Sequence, residues 1–397
     1  MKVAVVGLGS TGSMALWRLS SAPGVTAVGF EQFGIGHPHG GYSGGSRLFR
    51  TAYHEGGRYV PLLARSRRLW AALERASGRR LFDDFGVLTV AQEEDEAFIR
   101  LIESIKEYRL PHRRYNSAAL RARYPQFDVV DGEVGVLDQS GGALRPGLGV
   151  LSAIELAVRN GATVREHEAI EGIEQGEDGI RVASASGTRT FDRVIVTAGS
   201  WAESLVPELA GLTEVRRIVT TRFAPRVAAQ YAPGALPCFI RDRDGLHVFG
   251  SPAVDGCSVG ISWDATGPIA ADRPELMDRR IDADELSEFG AEVQSLLTGL
   301  WPEPVGYGVH HDSYTADKTP IVDSRGGIVV VAGLSGHGFK LAPALGELAS
   351  RLAVHGATPL WDPGFSITGH APVHAPASPS AQRPSSASST SSVMSSV

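Results

Sequence analysis

The sequence predicts an α/β protein with two domains. One is a nucleotide-binding domain on a parallel sheet, discontinuous in sequence, and the other is an inserted α+β domain with a mainly antiparallel sheet. A glycine-rich turn joins two apolar strands at the start of the chain, apolar strands return near residues 195 and 330, and short alternating β runs fill residues 215–262. Continuously apolar strands are typical of parallel sheets covered on both faces, whereas alternation is typical of half-exposed strands.

The first 31 residues predict a βαβ unit of the Rossmann type. An apolar run at residues 2–6 breaks at the G-x-G-x-x-G turn of residues 7–12, a helical stretch follows, and a second β-rich run ends in Glu31. The glycines permit a tight turn, a close approach of backbone to pyrophosphate and helix–strand packing, and the acid accepts hydrogen bonds from ribose. Helix N-terminal N–H groups then meet the phosphates. From this unit we predict the cofactor-binding residues Gly7, Gly9, Ser10, Thr11, Gly12, Glu31 and Gln32.

Composition narrows the class of protein. The 397 residues suit two or three domains, and a net charge of −6 gives no reason to expect nucleic acid or an anionic membrane as partner. The first strand begins at residue 2 and no apolar run is long enough to span a membrane, so we expect a cytoplasmic protein. Cys238 and Cys257 are too few for a disulfide framework, and we expect both to be buried. No metal site is predicted.

Hydrophobic periodicity places the remaining elements. Four helices and four strands follow from apolar spacing, from an initial proline and from terminal glycines. The helices are predicted at residues 61–78, 98–108, 147–160 and 286–300, and the strands at 86–90, 163–164, 191–199 and 327–333.

Two glycine-rich segments predict a backbone that wraps a ligand closely. Residues 34–45 form a loop whose His37 and His39 we interpret as polar loop residues rather than ligands. Residues 333–340 lead from an apolar strand into a helix with leucines at 0, 4, 7 and 11. This second strand–glycine–helix element is expected to aim a positive helix end at a ligand site, the alternative being an ordinary turn.

The recurrence of nucleotide-type strands divides the chain. We expect a cofactor domain of residues 1–85, 147–214 and 318–366, a substrate domain of 86–146 and 215–317, and a disordered Ser/Ala/Pro-rich tail at 370–397. A discontinuous nucleotide domain favours FAD over NAD, although an NAD-binding protein stays open as an alternative.

Several stretches resemble the monomeric sarcosine oxidase and N-methyltryptophan oxidase family of the D-amino-acid-oxidase-like flavoproteins. They are the N-terminal fingerprint and residues 46–53, 55–70, 314–323 and 333–340. The resemblance covers residues 2 to about 356. It implies an FAD-dependent oxidoreductase that oxidises the C–N bond of an amino acid or N-alkyl amino acid, gives an imine that hydrolyses, and releases hydrogen peroxide when oxygen is the acceptor.

The resemblance also implies roles for individual residues. Arg50 and Lys340 correspond to the pair that holds the substrate carboxylate, Arg47 to a cation near the reactive face of the flavin, and Tyr314 to an active-site tyrosine. A bidentate guanidinium and an ammonium can fix a carboxylate and leave the reacting carbon over the flavin. A surface salt bridge is the alternative for both arginines. Further cofactor contacts are expected at Ser43, Gly44, Arg47, Val164, Ala198, Gly199, Gly336, Gly338, Phe339 and Lys340.

Three positions depart from the family pattern. The family attaches its flavin to a cysteine two residues before the tyrosine, which is Asp312 here. We therefore expect non-covalent FAD, with attachment or base chemistry at the neighbouring His310 and His311 as the less favoured alternative. Ser258 stands where the family has a lysine that promotes reaction with oxygen, and Ser262 stands where a histidine is common. A missing cation there stabilises developing negative charge less well.

Three functions therefore stay open for the same fold. The favoured one is an amine or amino-acid oxidase. An FAD-dependent amine dehydrogenase or biosynthetic tailoring enzyme with another electron acceptor is the second, and a non-catalytic flavin-binding subunit of a heteromeric oxidase is the third. The expected partner is a small amino acid or secondary-amine carboxylate, bound by a monomer or small homo-oligomer.

Overall fold

A computed structural model describes residues 1–263 and 274–373, and it confirms the α/β class. The predicted disordered tail of residues 370–397 lies outside the described residues from residue 374 onward. Residues 370–373 are described, and the backbone nitrogen of Val373 donates to the carbonyl oxygen of Gly211 at 2.9 Å. The helices are α1 (Ser10–Ser20), α2 (Val60–Ser77), α3 (Glu96–Tyr108), α4 (Ser117–Arg123), α5 (Pro146–Arg159), α6 (Ala202–Leu205), α7 (Ala283–Leu296) and α8 (Gly338–His355). The strands are β1 (Lys2–Val6), β2 (Thr26–Phe30), β3 (Arg47–Phe49), β4 (Phe82–Asp83), β5 (Val87–Gln92), β6 (His112–Tyr115), β7 (Glu133–Asp138), β8 (Gly142–Leu144), β9 (Thr163–Arg165), β10 (Ile170–Gly176), β11 (Gly179–Ser184), β12 (Gly187–Phe191), β13 (Arg193–Val196), β14 (Glu214–Pro225), β15 (Cys238–Arg243), β16 (Leu246–Ser251), β17 (Val259–Trp263), β18 (Leu300–Tyr314), β19 (Ile321–Arg325) and β20 (Ile328–Ala332).

The first large sheet has six strands in the order β19-β20-β13-β1-β2-β9. Its strands are parallel except for β19, which runs antiparallel to β20. The apolar side chains of β1, β13 and β20 are almost wholly buried, as expected for a sheet with cover on both faces. Strands that lie far apart in sequence therefore assemble one nucleotide-type sheet, as the sequence predicts.

The second large sheet has eight strands in the order β18-β14-β17-β16-β15-β5-β7-β6. All neighbouring pairs are antiparallel except β5 and β15. Helix α7 packs on it through Phe289, Val293 and Leu296, which join a core with the sheet residues. Two three-stranded sheets, β10-β11-β12 and β3-β8-β4, complete the described strands. The predicted domain boundaries stay a prediction.

Helix–helix packing fixes the position of α8, which begins at the glycine-rich segment. At Gly346 a Cβ atom would lie 2.7 Å from the backbone nitrogen of Ala15 in α1. The two helices therefore cross in direct backbone contact, and α2 packs on the same helix. Because α8 is held on both sides, its first turn has a fixed position at the edge of the six-stranded sheet.

Most predicted elements are confirmed, with three corrections. Helix α2 begins with Pro61 in its first turn and ends at Gly78 in the left-handed conformation, as predicted. The helix predicted to run to residue 300 ends at Leu296. The 15-residue strand β18 follows from Leu300, although Pro302 and Pro304 argue against a strand in the sequence. Cys257 is exposed, so the prediction that both cysteines are buried is wrong for this one. Among residues 1–263 and 274–373, no helix combines the length and apolar character needed to cross a bilayer.

Candidate active site

At two glycines of the turn after β1, the surrounding atoms leave no room for a side chain. Gly7 has a φ of +87°, and a Cβ there would lie 2.8 Å from the Cα of Ala198. A Cβ at Gly12 would lie 1.9 Å from the carbonyl oxygen of Gly7. Thr197 locks the same turn because its hydroxyl donates to the Gly7 carbonyl oxygen at 2.7 Å. The turn and the end of β13 therefore form one surface from which backbone groups face outward.

Glu31 lies at the end of β2 and is almost fully buried. Its carboxylate accepts hydrogen bonds from the backbone nitrogens of Leu8 at 2.9 Å and Phe33 at 3.1 Å. His37, which the sequence predicts to be a polar loop residue, places its Nε2 atom 3.4 Å from the Glu31 Oε1 atom. The acid is thus held rigidly where the nucleotide turn opens.

A first cavity of about 170 Å³ opens beside this turn. Its lining includes most of the predicted cofactor residues, namely Gly7, Gly9, Ser10, Thr11, Glu31, Gln32, Arg47, Ala198, Gly199, Gly336, Gly338 and Phe339. Gly12, Ser43 and Val164 lie outside the lining of this cavity and of the one next to it. Gly12 serves close packing, and Val164 lies on β9 beside Gly29 of β2.

A second cavity of about 600 Å³ adjoins the first. The two share lining residues at their junction: Gly41, Arg47, Asp312, Gly336 and Phe339. All five predicted catalytic residues line the second cavity: Arg47, Arg50, Ser258, Tyr314 and Lys340. Gly44 also lines it. The tertiary structure therefore brings together side chains that are nearly 300 positions apart.

Arg47 lies at the junction and is held by the glycine-rich loop. Its guanidinium donates to the carbonyl oxygens of Ser46 at 2.8 Å, Gly41 at 3.1 Å and Ser43. Burial lowers the pKa of Arg47 to about 10, against the opposing effect of Asp312, so the group remains a cation near neutral pH. The loop thus curls around one buried positive charge.

Asp312 faces Arg47 across the junction. Its carboxylate accepts from the backbone nitrogens of Gly336 at 2.8 Å and Ser313 at 2.9 Å. Burial raises the pKa of Asp312, while those two hydrogen bonds and Arg47 act in the opposite direction. The position that carries a cysteine in the resembling family therefore holds a buried, hydrogen-bonded acid.

Arg50 enters the second cavity and already has partners. Its Nη2 atom lies 2.7 Å from Glu55 Oε1, and its Nη1 atom lies 2.8 Å from His54 Nδ1. Burial and the charge of Arg50 lower the pKa of His54 to about 3, so the ring is neutral. Burial alone would raise the pKa of Glu55, yet Arg50, His54 and Lys340 together hold it well below its usual value. Arg50 is thus a cation in an ion pair, not a surface arginine.

Lys340 lies in the first turn of α8 and is buried beside Arg50. Its Nζ atom donates to the hydroxyl of Tyr53 at 3.2 Å. Burial, and then repulsion from Arg50, lower the pKa of Lys340 to about 7, while Glu55 acts in the opposite direction. Near neutral pH, and in the absence of a bound anion, Lys340 is therefore protonated in only a fraction of the molecules.

Ser258 has an arginine beside it that the sequence analysis missed. Its hydroxyl donates to Asp255 Oδ2 at 2.6 Å and accepts from Arg222 Nη1 at 3.1 Å. Arg222 lies on β14 opposite Gly260 and is paired with Asp255 at 2.5 Å. No sequence signal marks it, because the contact depends on strand pairing between β14 and β17.

Tyr314 and the two histidines before it lie at the end of β18. Tyr314 is buried under the guanidinium of Arg216, 4.7 Å from its ring centre, and its hydroxyl is close to Gly336. His311 lines the first cavity, and its Nδ1 atom lies 2.9 Å from the Ser200 hydroxyl. Burial lowers the pKa of His310 and of His311 to about 4, so both rings are neutral. His310 is outside the lining of both cavities.

The first cavity fits a flavin dinucleotide on its own chemistry. The Thr11 hydroxyl at the start of α1 is buried and finds no hydrogen-bond partner among the described residues. An anionic phosphate at this helix start would supply the missing acceptor. Glu31 provides acceptors for a ribose, and the crowded glycines allow backbone to approach a pyrophosphate. The second cavity adjoins the first and leaves room for a substrate next to the cofactor. The fold and the site together therefore define a dinucleotide-dependent oxidoreductase.

Comparison with known proteins agrees with this class. The FAD dependent oxidoreductase family matches residues 2–352. Monomeric sarcosine oxidase from Streptomyces avermitilis is 31% identical over 364 residues, which cover 90% of this chain and 94% of that protein. N-methyl-L-tryptophan oxidase from Yersinia pestis is 30% identical over 372 residues, which cover 91% and 97%. The chain belongs to the FAD dependent oxidoreductase family, as the resemblance implied.

A solved structure supports the fold. NikD, described as an unusual amino acid oxidase essential for nikkomycin biosynthesis, matches with a TM-score of 0.80 at 19% identity, over 92% of this chain and 96% of that one. The predicted enzyme class and the predicted cofactor, FAD, are therefore confirmed.

Proposed function

We propose that this enzyme oxidises the C–N bond of an amino acid or N-alkyl amino acid whose carboxylate binds between Arg50 and Lys340. The observation that carries the proposal is the convergence of these two cations on one wall of the second cavity, beside its junction with the first. When bound, FAD supplies the acceptor for the hydride equivalent that leaves the substrate carbon. Relatives that are named sarcosine and N-methyltryptophan oxidases support the same substrate class.

The residues of the chain account for binding and orientation. A guanidinium and an ammonium fix a carboxylate at one end, so the adjacent C–N unit extends toward the junction lined by Arg47 and Phe339. Binding of the carboxylate beside Lys340 stabilises the ammonium, because an opposite charge favours the charged form. The volume of the second cavity, about 600 Å³, also accommodates substrates larger than glycine derivatives.

The decisive experiment is an anaerobic titration of the oxidised holoenzyme. Amino acids and N-methyl amino acids are expected to bleach the flavin spectrum, whereas the matching amines without a carboxylate are expected to leave it unchanged. Bleaching of equal rate by both sets would contradict the carboxylate clamp. A failure of every amine to bleach the flavin would instead favour a non-catalytic flavin-binding subunit.

We propose further that FAD is bound without a covalent link. Asp312 replaces the family cysteine, and its carboxylate is engaged by two backbone nitrogens. Neither Cys238 nor Cys257 lines either cavity. Acid precipitation is therefore expected to leave yellow FAD in the supernatant, and a yellow pellet would contradict this expectation and direct attention to His311.

Oxygen is the first candidate for the electron acceptor, and a specific observation favours a second. Arg222 brings a guanidinium to Ser258, where the family has a lysine, but Asp255 neutralises much of its charge. Weaker stabilisation of developing negative charge favours a dehydrogenase or tailoring enzyme with another acceptor. Mixing the photoreduced enzyme with air-saturated buffer separates the two, because fast return of the oxidised spectrum indicates an oxidase and slow return a dehydrogenase.

The lining of the two cavities also supports the predicted division of the chain into a cofactor domain and a substrate domain. Elements of the six-stranded sheet line the first cavity, and strands β14, β16 and β17 of the eight-stranded sheet line much of the second. We infer a cofactor domain and a substrate domain with the boundaries predicted from the sequence. A monomer or small homo-oligomer fits a site whose lining is supplied by one chain, and light scattering of the purified holoenzyme tests this.

A further inference from the structure

Tyr53 lies between the two cations of the clamp and contacts both. The guanidinium carbon of Arg50 lies 4.6 Å from the centre of the Tyr53 ring, and the Lys340 Nζ atom lies 5.0 Å from it. The Tyr53 hydroxyl also accepts the hydrogen bond from Lys340 at 3.2 Å. Tyr53 is fully buried, and it lies outside the lining of both cavities. It therefore acts on the substrate site through residues that line the second cavity, and these two cations are among them.

A chain of hydrogen bonds continues beyond Tyr53. Its hydroxyl lies 2.8 Å from His337 Nδ1, and His337 Nε2 lies 2.8 Å from the carbonyl oxygen of Lys318. A carbonyl oxygen can only accept, so His337 carries its proton on Nε2. Burial and the charge of Lys340 lower the pKa of His337 to about 4, so the ring is neutral and its Nδ1 accepts.

This tautomer fixes which group donates in each hydrogen bond from Lys340 to His337. Because His337 Nδ1 accepts, the Tyr53 hydroxyl donates its proton to it. The lone pairs of the Tyr53 oxygen then face Lys340, whose Nζ donates to them. An ammonium is a better donor than a neutral amine, so this arrangement favours the charged form of Lys340.

We propose that Tyr53, oriented by His337, is a positioning residue for the substrate site. It holds Arg50 and Lys340 against one aromatic ring and keeps the lysine protonated for substrate binding. This proposal rests on the proposed carboxylate clamp. The ring face attracts both cations and offsets part of their mutual repulsion. The hydroxyl cannot rotate to donate to the lysine, because its proton is committed to His337. The lysine is thereby kept as a donor.

The two charged groups that act on Lys340 both lie on the loop that follows β3. Arg50 disfavours its ammonium, and Glu55, paired with Arg50, favours it. The neutral rings of His54 and His337 also interact with Lys340. Glu55 also interacts with the Tyr53 hydroxyl. Tyr53→Phe is therefore compared with the His337 variants, which keep both the Tyr53 hydroxyl and Glu55.

The experiment uses the holoenzyme and propionate, a carboxylate without an amine, whose binding is followed by the perturbation of the flavin absorption spectrum. In the wild type, affinity is expected to fall by up to about tenfold per pH unit above the pKa of Lys340, until the contribution of the ammonium is lost. Tyr53→Phe keeps the ring and removes the acceptor. The alkaline limb, which is the range of pH over which affinity falls, is therefore expected about one pH unit lower, with little change in affinity at pH 6. Tyr53→Leu is expected to weaken binding at every pH. Tyr231→Phe, which removes a buried hydroxyl outside the lining of both cavities, is the matched control and is expected to keep the wild-type pH dependence.

Variants of His337 test the direction of the chain. His337→Leu frees the Tyr53 proton and is expected to lower the limb as Tyr53→Phe does, and the double variant is expected to show no further shift. His337→Asn restores an acceptor near the Nδ1 position and is expected to move the limb back toward the wild type. A limb that stays at the wild-type pH in Tyr53→Phe overturns the proposal, and so does an additive double variant.

A second measurement stands even if these variants fold poorly. Nitrogen NMR of wild-type enzyme with labelled histidine is expected to show that the assigned His337 ring stays neutral, with its proton on Nε2, from pH 6 to pH 9. The rings of His54, His310 and His311 are expected to be neutral as well. A His337 ring that titrates in this range, or carries its proton on Nδ1, overturns the proposal. If wild-type enzyme binds no propionate at any pH, the carboxylate clamp itself fails, which is distinct from failure of the positioning role.

Discussion

Replacement of Lys340 by methionine removes the ammonium of the clamp while keeping most of the side-chain volume. A hydrogen bond to a charged group contributes about 1.5–3 kcal/mol, so a fully charged lysine is expected to improve carboxylate binding roughly 10- to 150-fold. The pKa of Lys340 near 7 makes this benefit depend on pH. About nine-tenths of the lysine is charged at pH 6 and about one-tenth at pH 8, so the loss of affinity is expected to be up to about tenfold larger at pH 6.

The assay is propionate binding to the oxidised holoenzyme at these two pH values, with the flavin content measured in parallel. Arg351→Met is the matched control, because it removes one positive charge from the same helix at a half-exposed site paired with Glu347. Arg50→Met is expected to weaken binding at both pH values, since a guanidinium keeps its charge over this range. All three variants are expected to retain FAD. Equal losses for Lys340→Met at pH 6 and pH 8 would refute the reasoning.

Three further predictions address the cofactor, the acceptor and stability. Glu31→Gln is expected to weaken FAD binding to the apoprotein roughly 10- to 100-fold because a charged acceptor is lost, and an unchanged Kd in a flavin fluorescence titration would contradict this role. Ser258→Lys is expected to speed the reaction of reduced enzyme with oxygen, whereas Arg222→Met slows it; stopped-flow rates that do not respond to either change would exclude this place as the oxygen site. Glu133→Ala is expected to lower the free energy of unfolding by about 3–5 kcal/mol, because it leaves the buried guanidinium of Arg241 without its ion-pair partner. Urea titration of the holoenzyme measures this loss. A Glu133→Leu/Arg241→Leu double variant is the control and is expected to regain part of the stability.

Local signals in the sequence were sufficient for the elements that hold the nucleotide. The turn at Gly7 and Gly12 needs glycine because backbone atoms lie within 3 Å of the positions a Cβ would take. Such a steric requirement leaves a mark in the sequence that does not depend on the rest of the chain. The strand before the turn and the acid after it lie within 31 residues, so their register could be read directly.

Long-range pairing was not predictable from the same signals. Strand β18 contains two prolines, and only its pairing with β14 over nearly its whole length makes it a strand. The contact between Arg222 and Ser258 arises from the register between β14 and β17, which no local pattern specifies. The partners of Arg50 are close in sequence, yet an ion pair with Glu55 needs the chain to fold back within five residues.

The sequence by itself determined the βαβ unit, the class of fold, the family and the identity of the two cations. The tertiary structure decided what those cations touch. Burial lowers the pKa of Lys340 to about 7. The carbonyl oxygen of Lys318, on the loop before β19, fixes the tautomer of His337, and the ring of Tyr53 contacts both cations. These are electrostatic properties of a closed environment, and they depend on distances between segments that meet only when α8 packs beside the loop that follows β3.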